Sequence, residues 1–373
     1  MDSQTLEAVK LAQSDTDEPS SQLPESETKI LYLAGSCVSD FYYELSLVYA
    51  REKIQVPGCK SYYAIIHPDG LWQVGTCLNG LSEKMNLASF LVELPQVDLV
   101  VPLMFCLPGM TTYRAFFEDM LGIPVVGSTS ECTSLAANKA KTRSVVSSAG
   151  VKVAEAQLIT RGGKVTIQPP LVIKPNSADN SLGLTLVRRE EEIESALEVG
   201  FEHDDVLLAE KFIPGRELRI AVVERNDGLY IPPIIEYLVS EQNPIRTTDD
   251  KYKISTNGTP EAQSQKSPVT PVCPAQVEPE ILKQISEAAK KCHVALGCRD
   301  YSLYDFRIHQ DTGEPYLLEA GLFWAFAKNS MISKMILAEG HELEKIVREV
   351  WSRAARRVRI PCGSILKYSS GCV

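Results

Sequence analysis

The apolar positions of this chain fall into short runs that alternate with helical periods. Lys29–Ala34 is a nearly continuous apolar run closed by Gly35-Ser36, and Val97–Leu103 is another. Runs of that kind predict strands covered on both faces of a sheet. Between them, Tyr43–Arg51 has helical spacing, and Tyr62–His67 and Leu71–Val74 read as two short strands around Pro68-Asp69-Gly70. Thr112–Leu121 reads as helix and Gly122–Gly127 as a further short strand. Strands alternating with helices predict βαβ units and a mostly parallel sheet. Residues 29–130 are therefore expected to form an N-terminal α/β domain.

The pattern then changes. A helix is predicted over Thr133–Ala149, ended by Gly150. Strands are predicted at Val153–Leu158, Pro170–Lys174, Leu184–Val187 and Val206–Phe212, with a helix over Arg189–Gly200 whose acidic start suits its dipole. Residues 131–215 are expected to be a smaller α+β unit and residues 216–373 a C-terminal domain. The latter opens with a strand at Glu217–Glu224. Residues 240–276 are poor in apolar side chains, which predicts a functional loop or disorder. Glu278–Leu296 is an amphipathic helix through Ile281, Ile285, Ala288, Ala289 and Cys292. After a hairpin, helices are expected over Phe323–Ala338 and Glu342–Arg359. Residues 1–28 are polar and are expected to be a disordered leader, with a short helix at Thr5–Gln13.

Composition narrows the function. The 373 residues carry a net charge of −10, which argues against a nucleic-acid footprint but leaves room for a local basic site. Ten cysteines are scattered without a CxxC pair or zinc spacing, so free thiols in a reducing cytosol are expected. No apolar run reaches 18 residues, and a cytoplasmic chain without membrane partners is expected.

Four stretches carry candidate chemistry. In Tyr304–Glu319, two runs of strand formers flank Gln310-Asp311-Thr312-Gly313, a hairpin signal. Asp305 lies seven residues before Thr312 and Glu319 seven after it, so the two carboxylates are expected to face each other. Facing like charges destabilise a sheet unless a cation such as Mg²⁺ lies between them; the alternative is that one of them points to solvent. Lys174 ends a strand and is followed by a loop of small polar residues as far as Gly183, suited to cradling an anion but also read as an ordinary loop. Leu207–Arg219 is a strand broken at Pro214-Gly215, where unpaired backbone groups could read a base edge. Glu210 and Glu217, seven apart across the break, could then accept from a base amine and from ribose hydroxyls, or be solvated charges at a turn. Lys139, on the helix opening the second unit, is either a ligand or a solvated charge. The five histidines are dispersed without a motif, and Arg353–Arg359 reads as a solvated helix face.

In this order the segments resemble the ATP-grasp ligases, and within them the D-alanine–D-alanine ligases. The resemblance runs over about residues 29–355. It is carried by Leu121–Gly127, Asn138-Lys139, Val172–Lys174, Ala209–Glu217, Ala295–Arg299 and Tyr316–Glu319. It implies a three-domain α/β ATP-grasp fold with ATP held between the last two domains. By position, Lys139 and Lys174 would bind the phosphates of ATP. Asn180, Ser181 and Gly183 would lie in the loop covering them, with Lys174 and Ser181 catalytic. Glu210 and the backbone near Lys211 and Ile213 would read adenine, Glu217 would hold ribose, and Asp305 and Glu319 would bind Mg²⁺. The reaction implied is transfer of the γ-phosphoryl of ATP to an acid, followed by displacement of phosphate by an amine. A homodimer is expected, with a small-molecule acceptor and an amino acid as partners.

The acceptor half departs from the family pattern. Gly321 stands where a third metal-ligating Asn is usual, and Leu303 where an arginine is usual two residues before the metal Asp. The acceptor-lining segment reads Gly321–Ala327, with Phe323, Trp324 and Phe326, and the segment that holds the first substrate's amine is replaced around Ser39–Glu44. In this the chain is most similar to the relatives that join serine or threonine to mycosporine-glycine, where a vinylogous acid oxygen is phosphorylated. A true D-alanine–D-alanine ligase and a non-catalytic nucleotide-binding protein are the alternatives.

Overall fold

The computed structural model describes residues 27–177, 181–246, 253–254, 260–261, 269, 271–322, 325–328 and 330–357. Residues 1–26 of the leader, with the expected helix at Thr5–Gln13, the loop residue Asn180, and Phe323 and Trp324 lie outside the described residues; Thr28, assigned to the leader, instead opens the first strand.

The strands fall into three main sheets. The first has the order β3-β2-β1-β4, from β1 (Thr28–Gly35), β2 (Cys59–Ile66), β3 (Trp72–Gly75) and β4 (Leu99–Pro102). β1 pairs in parallel with β2 and β4, and β2–β3 is antiparallel. Helices α1 (Asp40–Arg51), α2 (Leu87–Glu93), α3 (Leu107–Met110) and α4 (Thr112–Ala115), the last running into a π turn, accompany it. Ser39, in the segment expected near a substrate amine, caps α1 by accepting from the Tyr42 N–H at 3.3 Å.

Next come α5 (Ser130–Ala137) and α6 (Lys139–Ser148), where one helix was expected. Asn138 sits between them in extended backbone, and its side chain accepts from the Lys141 N–H at 3.0 Å. Asn prefers this capping bond to a place inside a helix. The second sheet, β5-β8-β6-β7, is antiparallel and is built from β5 (Ala156–Thr160), β6 (Leu171–Pro175), β7 (Thr185–Val187) and β8 (Val206–Lys211). Helix α7 (Ile193–Phe201) packs Ala196 into its core beside Leu171, Ile173 and Leu207.

The third sheet is antiparallel, in the order β14-β11-β9-β15-β16 with β10 beside β9. Its strands are β9 (Gly215–Arg225), β10 (Gly228–Tyr230), β11 (Ile235–Tyr237), β14 (Pro271–Val272), β15 (Tyr301–His309) and β16 (Pro315–Gly321); a short pair, β12 (Lys253–Ile254) and β13 (Pro260–Glu261), stands apart. Its helices are α8 (Pro279–Ala295), α9 (Met331–Ala338) and α10 (Leu343–Ala355). Strand alternation gives this sheet two layers. Leu218, Ile220, Val222, Tyr304, Phe306 and Ile308 face α8. Ala221, Val223, Tyr301 and Leu303 face the core shared with Ile30, Tyr32 and Trp351. The chain enters β9 through Gly215, at φ 134°, where a Cβ would lie 2.0 Å from the Ile308 carbonyl oxygen, so only glycine allows this close approach.

Three further expectations changed. Gly122–Gly127 contributes a single bridge, Val100 to Val125, and not a strand. α9 starts at Met331, eight residues later than expected, because Ser330 caps it. Arg353 is not merely solvated: it bonds Glu224 at 2.8 Å and the Arg225 carbonyl at 2.7 Å.

Glu224 is the hub of that last contact. It accepts from the Asp300 N–H at 3.0 Å and lies 3.3 Å from His293 Nε2, which is buried against Ser302. Burial would raise its pKa, but the bonds from His293 and Asp300 override burial and hold it at about 2. A depressed carboxylate pKa contributes stability that is present above the unfolded value and lost as pH falls through the folded one. Glu224→Gln is expected to cost about 1–3 kcal/mol in urea unfolding at neutral pH. It should also flatten the loss of stability between about pH 4.5 and 2; an unchanged acid limb would refute the assignment.

Candidate active site

The charged half of the third sheet is written in its register. On β15, Tyr301 and Leu303 enter the core; two and four residues further on, the same face carries Asp305 and Arg307. Across the ladder Asp305 pairs with Arg219 and Arg307 with Glu217, and on the other side Asp305 pairs with Glu319. Opposed charges thus face each other in two rows.

The pairing of Asp305 with Glu319 was expected from symmetry about Thr312, but the turn alone does not produce it. The turn closes His309 on Glu314, and Ile308, Arg307 and Phe306 pair with Pro315, Tyr316 and Leu317. Continued, that register would set Asp305 against Leu318 and send Glu319 to the apolar layer. A bulge between Asp305 and Phe306 absorbs one residue and restores the facing carboxylates.

Buried ion pairs fix these groups. Arg219 donates to both oxygens of Asp305, at 2.7 Å each. Arg246 donates to Asp305 at 3.0 Å and to Glu217, and its guanidinium lies 3.6 Å from the Tyr237 ring centre. Arg307 reaches Glu217 at 3.3 Å and the Gly215 carbonyl at 2.9 Å. Burial pulls the Arg219 pKa down, but Asp305 and Tyr237 outweigh it and the guanidinium is held well above its usual range. For Arg307 burial wins, and its pKa is lowered despite Glu217.

A second knot lies on the central sheet. Glu210 accepts from Lys174 at 2.5 Å and from Arg143 at 2.7 Å, all three buried. An ammonium has three donors, so the bond to Glu210 aims Lys174 without exhausting it. Asn176, just after β6, accepts from the Lys139 N–H through its carbonyl and from the Ala140 N–H through its side chain, both at 3.0 Å. Lys139 therefore stands at the start of α6 beside the small-residue loop. The Lys211 N–H is committed to the Glu155 carbonyl at 2.8 Å.

One cavity, of about 830 Å³ including its open mouth, gathers these groups. Lys139, Lys174, Ser181, Glu210, Lys211, Ile213, Glu217, Asp305 and Glu319 all line it, with Arg246, Arg307 and an apolar wall that includes Val172, Leu184, Phe212 and Leu317. Gly183 does not. It turns the loop at φ 66°, where a Cβ would meet His203 at 2.8 Å and Pro175 at 3.0 Å. Five basic and four acidic side chains line the cavity, and Arg143 and Arg219 stand behind them. The site is thus locally positive on a chain of net charge −10, as a polyphosphate requires. Phe326, expected near the acceptor, is buried edge-on to Tyr301 at 4.9 Å and belongs to the core. Arg143, Arg219, Arg246 and Arg307 were not anticipated. Arg219 and Arg307 stand two residues from Glu217 and Asp305, a same-face spacing that could have revealed them; Arg246, in a loop, had no such signal.

A family profile described as D-ala D-ala ligase C-terminus matches residues 144–352, more than half of the chain. The chain belongs to the D-alanine–D-alanine ligase family. It is 29% identical over 236 residues to the D-alanine–D-alanine ligase of Halalkalibacterium halodurans, covering 62% of this chain and 73% of that one. The VanG D-Ala:D-Ser ligase structure from Enterococcus faecalis superposes with a TM-score of 0.69 at 23% identity, covering 87% of this chain and 98% of that one. A Bacillus anthracis D-alanine–D-alanine ligase complexed with ATP gives 0.65 at 19% identity, over 89% and 98%. The fold is the α/β ATP-grasp fold of this family. As a family member the chain is an ATP-dependent, ADP-forming carbon–nitrogen ligase that uses ATP and Mg²⁺. Two facing carboxylates suit Mg²⁺, which takes one or two protein carboxylates and fills the rest with phosphate oxygens and water. No group of three or more His, Cys, Asp or Glu side chains able to hold a metal occurs among the described residues.

Removing Arg219 would leave Asp305 buried with less than its full complement of charge. Arg219→Met is expected to cost about 3–5 kcal/mol in urea unfolding. In a double-mutant cycle with Asp305→Asn most of that cost should disappear; additive losses would show that the pair is not coupled.

Proposed function

We propose that the chain activates an acid or vinylogous-acid acceptor by phosphoryl transfer from ATP and joins it to the amine of an amino acid, mycosporine-glycine being the candidate acceptor. Lys139 and Lys174 hold the phosphates, and the loop carrying Asn180, Ser181 and Gly183 covers them. Lys174 and Ser181 are the catalytic candidates, Lys174 acting chiefly through its hold on the phosphates. Glu210, aimed by Arg143, and the chain near Ile213 contact adenine; with the Lys211 N–H bonded to Glu155, backbone donation to the base falls to Ile213. Glu217 accepts from ribose. Asp305 and Glu319 hold Mg²⁺, which neutralises phosphate charge when bound.

The observation that carries the acceptor half is the pair next to these carboxylates. Leu303 and Gly321 are cross-strand partners two residues along each strand from Asp305 and Glu319, and Leu303 is buried in the core. Where the family pattern has an arginine and a metal-ligating asparagine, this chain therefore carries a core aliphatic side chain and a glycine, and neither position supplies the polar group that the family pattern has there. A second reading, ligation of two D-alanines, is favoured by the names of the relatives.

Stimulated ADP release decides between them. The proposal expects turnover with mycosporine-glycine plus serine or threonine, and none with D-alanine alone. The dipeptide as sole product would establish the second reading. Asp305→Ala and Glu319→Ala should each abolish turnover. Lys174→Ala should chiefly raise KM for ATP, and an unchanged KM would contradict its role.

A further inference from the structure

Arg246 reaches the carboxylate cluster from a loop, whereas every other charge in it comes from a strand. Its guanidinium bridges Glu217 and Asp305 and stacks on Tyr237, and the side chain is nearly fully buried. Arg219 already gives Asp305 a bidentate partner, so Arg246 adds a second positive charge to one carboxylate. A free divalent cation approaching Asp305 and Glu319 meets this charge at side-chain range, in a pocket where screening is weak. A cation carried on a polyphosphate arrives with its charge already cancelled, and the phosphate oxygens are themselves acceptors for a guanidinium fork.

We infer that Arg246 makes the Asp305–Glu319 pair selective for a nucleotide-borne divalent cation over a free one. The inference rests on the metal reading of those two carboxylates. Arg246 acts here as a specificity-determining residue that sets the order of arrival: the metal enters with the nucleotide, and its site stays closed to the ion alone. The stacking on Tyr237 and the bond to Glu217 supply the anchor that keeps the guanidinium beside Asp305.

Mn²⁺ binding by the full chain tests this, measured by water-proton relaxation with and without a non-hydrolysable ATP analogue. Arg246→Gln should bind Mn²⁺ alone at least about tenfold more tightly than the unchanged chain, since one unit charge beside a divalent ion is removed. The gain in Mn²⁺ affinity on adding the analogue should shrink correspondingly. Arg246→Lys, which keeps the charge, should stay close to the unchanged chain. Should the Gln variant unfold, Arg246→Met preserves the length and the apolar contact with Tyr237 and carries the same expectation. Asp305→Asn separates the two possible failures. If it abolishes Mn²⁺ binding with the analogue while neither neutral variant at 246 tightens binding of the free ion, the selectivity inference is overturned and the metal reading stands. If Asp305→Asn leaves that binding intact, the metal reading itself is wrong and the inference falls with it.

Discussion

Asp305 is buried between two guanidinium groups, and a carboxylate in that position is tolerable only with cationic partners of this kind. Withdrawing an ion from water costs several kcal/mol, and the cost is recovered only where geometry is good and the remaining hydrogen-bond capacity is met. The bidentate bond from Arg219 meets that condition, and the bond from Arg246 adds to it. The arrangement extends outward: Arg246 is held by Glu217, Glu217 by Arg307, and Arg307 by the carbonyl of Gly215, which no other residue could replace at that approach to Ile308. Loss of one member would be felt along the row.

The same sheet face does two jobs by position along the strand. At Tyr301 and Leu303, and at Ala221 and Val223, it is core and binds the C-terminal part of the chain to the first sheet through Ile30, Tyr32 and Trp351. At Asp305, Arg307, Glu217 and Arg219 it is cavity wall. The cavity charges are thus mounted on strands whose other ends are clamped in apolar packing, an arrangement that limits their drift. The opposite face, with Tyr304 and Phe306 against α8, closes the sandwich.

Much of this was legible in the chain. The strand runs and the hairpin could be read because apolar periodicity and turn residues are local signals. The break at Asn138 was missed because the apolar spacing of Thr133–Ala149 continues across it, and only the capping preference of one residue marks the join. The bulge leaves a trace in the sequence: Pro315 and Leu317 face one layer, but Ala320 and Leu322 belong to the same layer three and five residues after Leu317, so the alternation skips once. Arg246 could not be read at all, since its contacts join parts of the chain 29 and 59 residues apart through a loop without periodicity.

Asn176 has a consequence for the energetics of ligand capture. Its amide and carbonyl fasten the first two N–H groups of α6, while its own N–H is bonded to the Val206 carbonyl at the start of β8. The helix carrying Lys139 and the strand end carrying Lys174 are therefore parts of one solid piece and do not move as two separate arms. In the proposed phosphate-binding role, two cations whose mounting is already fixed would surrender little conformational freedom to an anion between them, so more of the gross attraction would survive as affinity.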